Sequence, residues 1–143
     1  MKFLAMVLVV LVVPSAIAQD DESPSAYLCV PDMSTGFLHA DGKWQSANFN
    51  TSNDKYVLRR SKKGDLRPNS AWVWTEFDST DVYVPCKEEA TDNGFVYCYG
   101  IGHHVFVNLE VLKYQAYEQS GYVVTDAKYR GTPYIEIGKC SPL

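Results

Sequence analysis

Long hydrophobic runs, positive charge and metal-ligand spacings are all scarce in this sequence. Its 143 residues carry a formal net charge of −4, which does not attract phosphate backbones, so we expect no nucleic-acid partner. The one long apolar run, residues 3–13, is shorter than the roughly 20 residues that a helix needs to cross a bilayer. Nothing later in the chain resembles a second span, so we expect no stable insertion into a membrane.

The beginning of the chain has the features of a secretory signal. Lys2 precedes the apolar run, and the small-residue pattern Ala-Ile-Ala at 16–18 follows it. We therefore expect a signal peptide over residues 1–18 and a secreted or periplasmic protein. Residues 19–26 are acidic and polar and contain a proline, which predicts a short flexible leader before a single domain over residues 27–143.

All four cysteines lie in the predicted domain, and an even number in an exported chain predicts two disulfides. Three pairings are open. We favour Cys86 with Cys98, because the turn-rich segment between them can bring two strands together, and Cys29 with Cys140, which would tie the start of the domain to its end. No C-x-x-C pair is present to bind zinc, so we expect neither a metal nor a cofactor.

Short segments rich in Val, Ile, Tyr, Phe and Trp alternate with turn-forming clusters along the domain, which predicts strands. A helix over 109–119 is the weaker alternative, because its neighbours on both sides are β-rich. The sequence thus predicts an antiparallel all-β domain of about eight or nine strands, either a small closed barrel or a two-sheet sandwich. The predicted strands are 43–49, 55–60, 71–77, 81–87, 94–99, 103–108, 111–117, 121–125 and 134–140.

Strand alternation also assigns side chains to faces. Over 94–99, the three aromatic rings share one face, and Val96 and Cys98 share the other. His103 and His104 point to opposite faces, so the two cannot easily bind one ion together, and His39 is distant in sequence. We interpret the histidines as imidazoles with a hydrogen-bond partner rather than as a metal or base site.

Signals for catalysis are weak. No G-x-S-x-G elbow occurs, and the cysteines are used by the disulfides, so no motif indicates a catalytic nucleophile. Paired carboxylates could serve a glycoside hydrolase, but the linear sequence joins no two of them. We therefore expect a protein that is not an enzyme. The available carboxylates are Asp32, Glu76, Asp78, Glu110 and Glu136.

Aromatic residues make up 13% of the chain and are its most distinctive component. Strands favour them and a compact β domain fills its core with them, so core filling is the first interpretation. The alternative is a ligand or partner surface formed by Trp44, Trp72 and Trp74. The one basic cluster, residues 59–63, is interpreted as a solvated charge run in a loop.

Five short segments of the domain stand out: Cys-Val-Pro-Asp at 29–32, Thr-Gly-Phe at 35–37, Lys-Trp at 43–44, Gly-Tyr-Val at 121–123 and TPYIEIGKCSP at 132–142. In these segments the chain resembles a group of small exported bacterial proteins, some of them associated with phages. The resemblance spans nearly all of the predicted domain, and its ending is the most specific part. It implies bacterial export and the pair of cysteines that bracket the domain, and it carries over no activity and no catalytic residue.

These features favour a secreted or periplasmic binding protein without catalytic activity. Such a β domain would present loops and aromatic side chains to a protein or glycan partner, as an envelope-associated or inhibitor-like module does. One alternative is a barrel that carries a small apolar ligand. The other is a hydrolase that uses strand-borne carboxylates.

Overall fold

The computed structural model describes residues 24–65, 70–81, 83–86, 88–124, 126 and 131–143. These residues form an all-β domain of nine strands without a helix, so none of them belongs to a helix that could cross a membrane. The predicted signal peptide and residues 19–23 of the predicted leader lie outside the described residues. The strands are β1 (Ala26–Ala40), β2 (Lys43–Phe49), β3 (Tyr56–Arg60), β4 (Trp72–Glu76), β5 (Val84–Cys86), β6 (Phe95–Tyr99), β7 (His103–Asn108), β8 (Lys113–Glu118) and β9 (Tyr134–Pro142).

The strands pair antiparallel in one sheet that is nearly closed into a barrel. Eight of them follow the order β5-β4-β3-β1-β9-β8-β7-β6, and β2 pairs with the second half of β1. The two ends of this order, β5 and β6, are joined by the disulfide Cys86–Cys98, whose Cα atoms are 3.9 Å apart. The disulfide Cys29–Cys140 joins β1 to β9. The predicted all-β class is confirmed, and the disulfides are the two that the sequence favours.

The longest strand, β1, lies where the sequence predicts no strand. Pro31 has no N–H to donate to a ladder, and the pairing with β9 shifts register between Pro31 and Met33. At Gly36 the backbones approach so closely that a Cβ atom would lie 2.1 Å from the carbonyl oxygen of Pro133. Proline and glycine, which usually indicate a loop, here belong to a strand with a bulge and a close crossing.

The strand predicted over 121–125 is wrong in its described part, because residues 121–123 form a turn and Val124 belongs to no strand; Thr125 lies outside the described residues. A Cβ atom at Gly121 would lie 2.1 Å from the carbonyl oxygen of Gly131. Glycine here permits two loop segments to come into contact, and residues 121–124 belong to no strand.

The basic cluster is also more ordered than the sequence predicts. Arg59 and Arg60 end β3, and the guanidinium of Arg59 donates two hydrogen bonds, of 2.9 and 3.0 Å, to the carboxylate of Asp65. These bonds help to hold the pKa of Asp65 well below its usual range. The guanidinium of Arg60 lies 4.1 Å from the centre of the Trp72 ring, a cation–π contact.

Side chains that point into the barrel form one hydrophobic core. Burial of each large apolar side chain stabilises the fold by roughly 1.5–3 kcal/mol. Buried positions alternate with more exposed ones along β6, β7, β8 and β9, so these strands also present an outer face, whereas the first four residues of β4 and all of β5 are buried. The core comprises Tyr27, Cys29, Leu58, Trp72, Trp74, Val84, Cys86, Val96, Cys98, Val105, Val107, Tyr114, Ala116 and Cys140.

Candidate functional site

The three tryptophans singled out from the sequence do not form one surface. Trp72 and Trp74 are 2% and 0% exposed and belong to the core. Trp44 is half-buried on β2, with its ring centre 5.6 Å from that of Tyr122. A partner cannot reach the two buried indoles, so the alternative of a surface formed by all three tryptophans does not hold, and Trp72 and Trp74 fill the core as the first interpretation has it.

A contiguous set of rings instead covers part of the outer face of the barrel. These rings alternate with core residues along their strands, because Val96 and Cys98 of β6 and Val105 of β7 point inward between them. We call this set the outer ring array. It consists of Phe95, Tyr97 and Tyr99 of β6, His104 and Phe106 of β7, and Tyr117 of β8.

Each ring of the outer ring array contacts others in a fixed orientation. Tyr97 and Tyr99 are parallel within 3°, with centres 6.4 Å apart, and Phe106 stands at 82° to Tyr97 at 5.4 Å. Tyr117 stacks on His104 at 4.9 Å and on Phe106 at 5.7 Å. Stacked and edge-to-face pairs are the favourable arrangements of aromatic rings, so the array is a preformed surface.

Aliphatic side chains extend the outer ring array across β9 to β1. Ile135, Ile137 and Met33 are 53%, 44% and 58% exposed. A groove of about 460 Å³ lies on this face, with mainly apolar walls. Two lysines and one aspartate are the charged residues among those that line it, and Lys139 pairs with Asp32 at 3.3 Å. The groove is lined by Asp32, Phe95, Phe106, Asn108, Val111, Lys113, Tyr114, Gln115, Ile137, Gly138 and Lys139.

Polarity is inverted along β9. Glu136 is buried in the barrel, whereas Ile135 and Ile137 on either side of it are exposed. The disulfide with Cys29 requires Cys140 to point inward. Because side chains alternate between the two faces of a strand, Glu136, four residues earlier on β9, points inward as well. This is the signal in the sequence from which the buried carboxyl could have been found.

Around the buried Glu136 lies a second candidate site. The phenol of Tyr114 donates a 2.9 Å hydrogen bond to Glu136, and the rings of Tyr114 and Tyr56 lie edge to face at 6.3 Å. At Gly138 a Cβ atom would lie 2.4 Å from the Tyr114 ring, so glycine leaves room for this ring against β9. We call the group the tyrosine–glutamate cluster; it consists of Tyr56, Tyr83, Tyr114, Tyr134, His103, Glu118 and Glu136.

Burial and negative charge dominate the electrostatics of this cluster. Burial raises the pKa of Glu136, the hydrogen bond from Tyr114 opposes this shift, and Asp54 adds to it. Burial and then the charge of Glu136 raise the pKa of Tyr114 and of Tyr56. Among the described residues, no ion pair joins Glu136 to a lysine or an arginine.

His103 points into the barrel beside the tyrosines and is 6% exposed. Its ring centre is 4.7 Å from that of Tyr83, and its Nδ1 atom is 3.4 Å from the phenol oxygen of Tyr134 and 3.9 Å from the Glu118 carboxylate. Nε2 is buried and has no hydrogen-bond partner. Burial lowers the pKa of His103 despite the nearby charge of Glu118, which favours the neutral imidazole.

A cleft of about 340 Å³ shares Tyr56 with the tyrosine–glutamate cluster. The cleft brings together two of the carboxylates considered from the sequence, Glu76 and Asp78, and adds Asp54. The charges of Asp54 and Glu76 also raise the pKa of Tyr56. The full lining is Asn53, Asp54, Lys55, Tyr56, Glu76, Phe77 and Asp78.

The remaining sequence candidates are dispersed. Asp32 lines the outer groove and Glu110 is exposed in the turn after β7. His103 and His104 lie on opposite faces of β7, as strand alternation predicts. In the part of the chain that the structure describes, no group of three or more His, Cys, Asp or Glu side chains is placed to hold a metal ion.

Comparison with known proteins adds no assignment to these two sites. No family model, no curated protein and no solved structure matches this chain.

Proposed function

We propose that this chain is an exported, non-catalytic binding protein that contacts a protein partner through the outer ring array. Export is supported by the two disulfides, which form and persist in oxidising compartments, and by the signal-like beginning of the sequence. The contact surface is supported by the array itself.

The observation that carries the proposal is the apolar character of an outward face. A sheet with its core on one side usually presents polar side chains on the other, whereas here partly buried rings of β6, β7 and β8 adjoin Tyr99, Ile135 and Ile137, which are 48%, 53% and 44% exposed. Contiguous exposed apolar patches mark interaction sites. Because the rings are fixed by one another, binding orders few side chains, which lowers its entropic cost.

The composition of the face favours a protein as the partner. Tyr, Phe and Met are enriched in protein interfaces, whereas charged residues are depleted at their centres. Binding is favoured when an apolar surface of the partner removes Ile135, Ile137 and Met33 from water. A glycan offers little such surface. The alternative of an apolar ligand inside the barrel has less support, because the side chains of Trp72, Trp74 and other core residues occupy the interior.

The test is a triple variant of the array, Tyr97→Thr with Phe106→Thr and Tyr117→Thr, in which threonine keeps a strand-forming residue at each position. The matched control carries the same residue at three exposed positions of β2: Gln45→Thr, Ser46→Thr and Asn48→Thr. Affinity capture from envelope and secreted fractions of the source identifies a protein that wild type retains. Its dissociation constant for each purified variant is then measured.

We expect the array variant to bind that protein about 100-fold more weakly or worse, since each central aromatic side chain contributes about 1–2 kcal/mol or more. The control is expected to bind like wild type. Equal binding by all three proteins would contradict the proposal. So would retention of a glycan alone, or sedimentation showing that the array serves only to join two copies of this chain.

A further inference from the structure

We propose that the tyrosine–glutamate cluster, together with the cleft that shares Tyr56, binds a small organic cation with one primary ammonium group. The inference goes beyond the protein-binding function and rests on a different part of the barrel.

Charge is the first argument. Glu136 is 3% exposed, whereas the Glu118 side chain is 17% exposed and accepts hydrogen bonds from the backbone N–H and the hydroxyl of Ser120. Within the described residues, neither carboxylate is paired with a lysine or an arginine. A buried carboxylate without a counter-charge costs free energy that a bound cation would offset.

Aromatic faces are the second argument. Tyr83 and Tyr134 flank His103, with ring centres 4.7 and 6.0 Å from the imidazole centre. Tyr56 lies over Trp74, with centres 5.0 Å apart. The negative face of an aromatic ring attracts a cation, and the attraction increases when water is excluded.

An unused acceptor is the third argument. His103 is 6% exposed and lies beside Tyr83 and Tyr134, and its Nε2 atom is buried without a hydrogen-bond partner, so this acceptor is unused inside the barrel. When the neutral ring carries its proton on Nδ1, toward Glu118 and Tyr134, Nε2 presents a lone pair. A primary ammonium has three N–H donors, for which the Glu136 carboxylate, His103 Nε2 and a phenol oxygen are suitable acceptors.

The cleft limits the remainder of the ligand. Its volume of about 340 Å³ is at the lower end of small-molecule sites. Asp54, Glu76 and Asp78 make it acidic, while Lys55 disfavours a second positive charge on the ligand. Since no metal-holding group is found among the described residues, the site fits an organic cation better than a metal ion.

The experiment is a calorimetric titration of the folded, oxidised protein with 2-phenylethylamine. Two further probes separate the contribution of the positive charge from that of the N–H donors. The first, 2-phenylethanol, lacks the charge, and the second, tetramethylammonium, has the charge but no N–H donor. Glu136→Gln removes the central carboxylate with little change of shape, and Glu118→Gln is the second variant in case the first does not fold. Glu110→Gln, at an exposed turn, is the control with the same change in net charge.

We expect saturable binding of 2-phenylethylamine, weaker binding of tetramethylammonium and no saturable binding of 2-phenylethanol. Glu136→Gln or Glu118→Gln is expected to weaken amine binding about tenfold or more, and Glu110→Gln to leave it unchanged. Equal affinity for the alcohol, or an unchanged affinity in both cluster variants, would overturn the proposal. The outer-array triple variant must bind the amine like wild type, so failure of one proposal is distinguishable from failure of the other.

Discussion

A single residue shows how a disulfide can override hydrophobicity. Glu136 enters the barrel because Cys140, four residues later on the same strand, must meet Cys29. The two isoleucines beside Glu136 are displaced to the outer face by the same alternation. The fold therefore keeps a carboxyl in its interior, and the raised pKa of Glu136 indicates that its ionisation opposes folding.

The stability of the protein should depend on pH through this carboxyl. Because the pKa of Glu136 is raised on folding, the folded chain holds a proton that the unfolded chain releases, so stability falls as pH rises above the ordinary glutamate range. One such group changes the unfolding free energy by at most about 1.4 kcal/mol per pH unit. We expect the stability of Glu136→Gln relative to wild type to increase as pH rises from about 4 to about 8.

Urea unfolding of the two proteins across this range measures the difference. His103, with its lowered pKa, destabilises the fold as pH falls through the ordinary histidine range, but it does so in both proteins and cancels. Glu110→Gln is the control at an exposed position. A constant difference between Glu136→Gln and wild type would show that Glu136 ionises as readily inside the barrel as in the unfolded chain.

Residue patterns in the sequence predict which side chains share a face of a strand, but they do not predict which face is exposed to solvent. Alternation correctly separated the rings of 95–99 from Val96 and Cys98. Trp72 and Trp74 are as aromatic as Tyr97 and Tyr99, yet the first pair is buried and the second partly exposed. Which side of a strand becomes the interior depends on closure of the whole sheet, and a local pattern does not contain that information.

At the scale of elements, the seam between β5 and β6 differs from every other junction. In the described stretches 83–86 and 95–99, no backbone ladder joins the two strands, and the disulfide Cys86–Cys98 holds them together. The disulfide Cys29–Cys140, in contrast, lies within a ladder that runs from Tyr27 and Pro142 to Gly36 and Tyr134. The two bridges should therefore act differently.

We expect removal of the seam disulfide, by Cys86→Ala with Cys98→Ala, to open the barrel locally. On the chain-entropy estimate it costs about 3 kcal/mol, against about 5 kcal/mol for Cys29→Ala with Cys140→Ala, whose loop is longer. In the first variant, amide exchange should accelerate in β5 and β6. In the second variant, the amides of β1 and β9 should still exchange only when the whole domain unfolds, because their ladder remains. Similar patterns of exchange in both would contradict a special role for the seam.

Elements with regular alternation and clear turns on both sides could be predicted from the sequence. Strands β2 and β7 begin and end at the predicted residues. The missed strand, β1, contains Pro31 and Gly36, whose backbone demands are met by a bulge and by the close approach of Pro133. Both depend on partners about 100 residues away along the chain, so tertiary contacts override local propensity there.

At the scale of the whole molecule, one wall of strands separates two aromatic surfaces with different neighbours. The inner surface is packed within the core, whereas the rings of the outer ring array contact one another on the outer face of the barrel. If the array served stability, its loss would resemble a core mutation. If it serves binding, the fold should tolerate its loss.

We expect the fold to survive the triple variant Tyr97→Thr, Phe106→Thr and Tyr117→Thr with a cost below about 1 kcal/mol per ring, the size of a cross-strand side-chain pair. Trp74→Ala, which leaves a cavity in the core, should cost about 3–5 kcal/mol by itself. Urea unfolding with an unchanged m-value in the triple variant is the measurement, because a constant slope shows that the same surface is still exposed on unfolding. A triple variant as unstable per ring as Trp74→Ala would make the array a structural layer, and the argument for a binding face would fail with it.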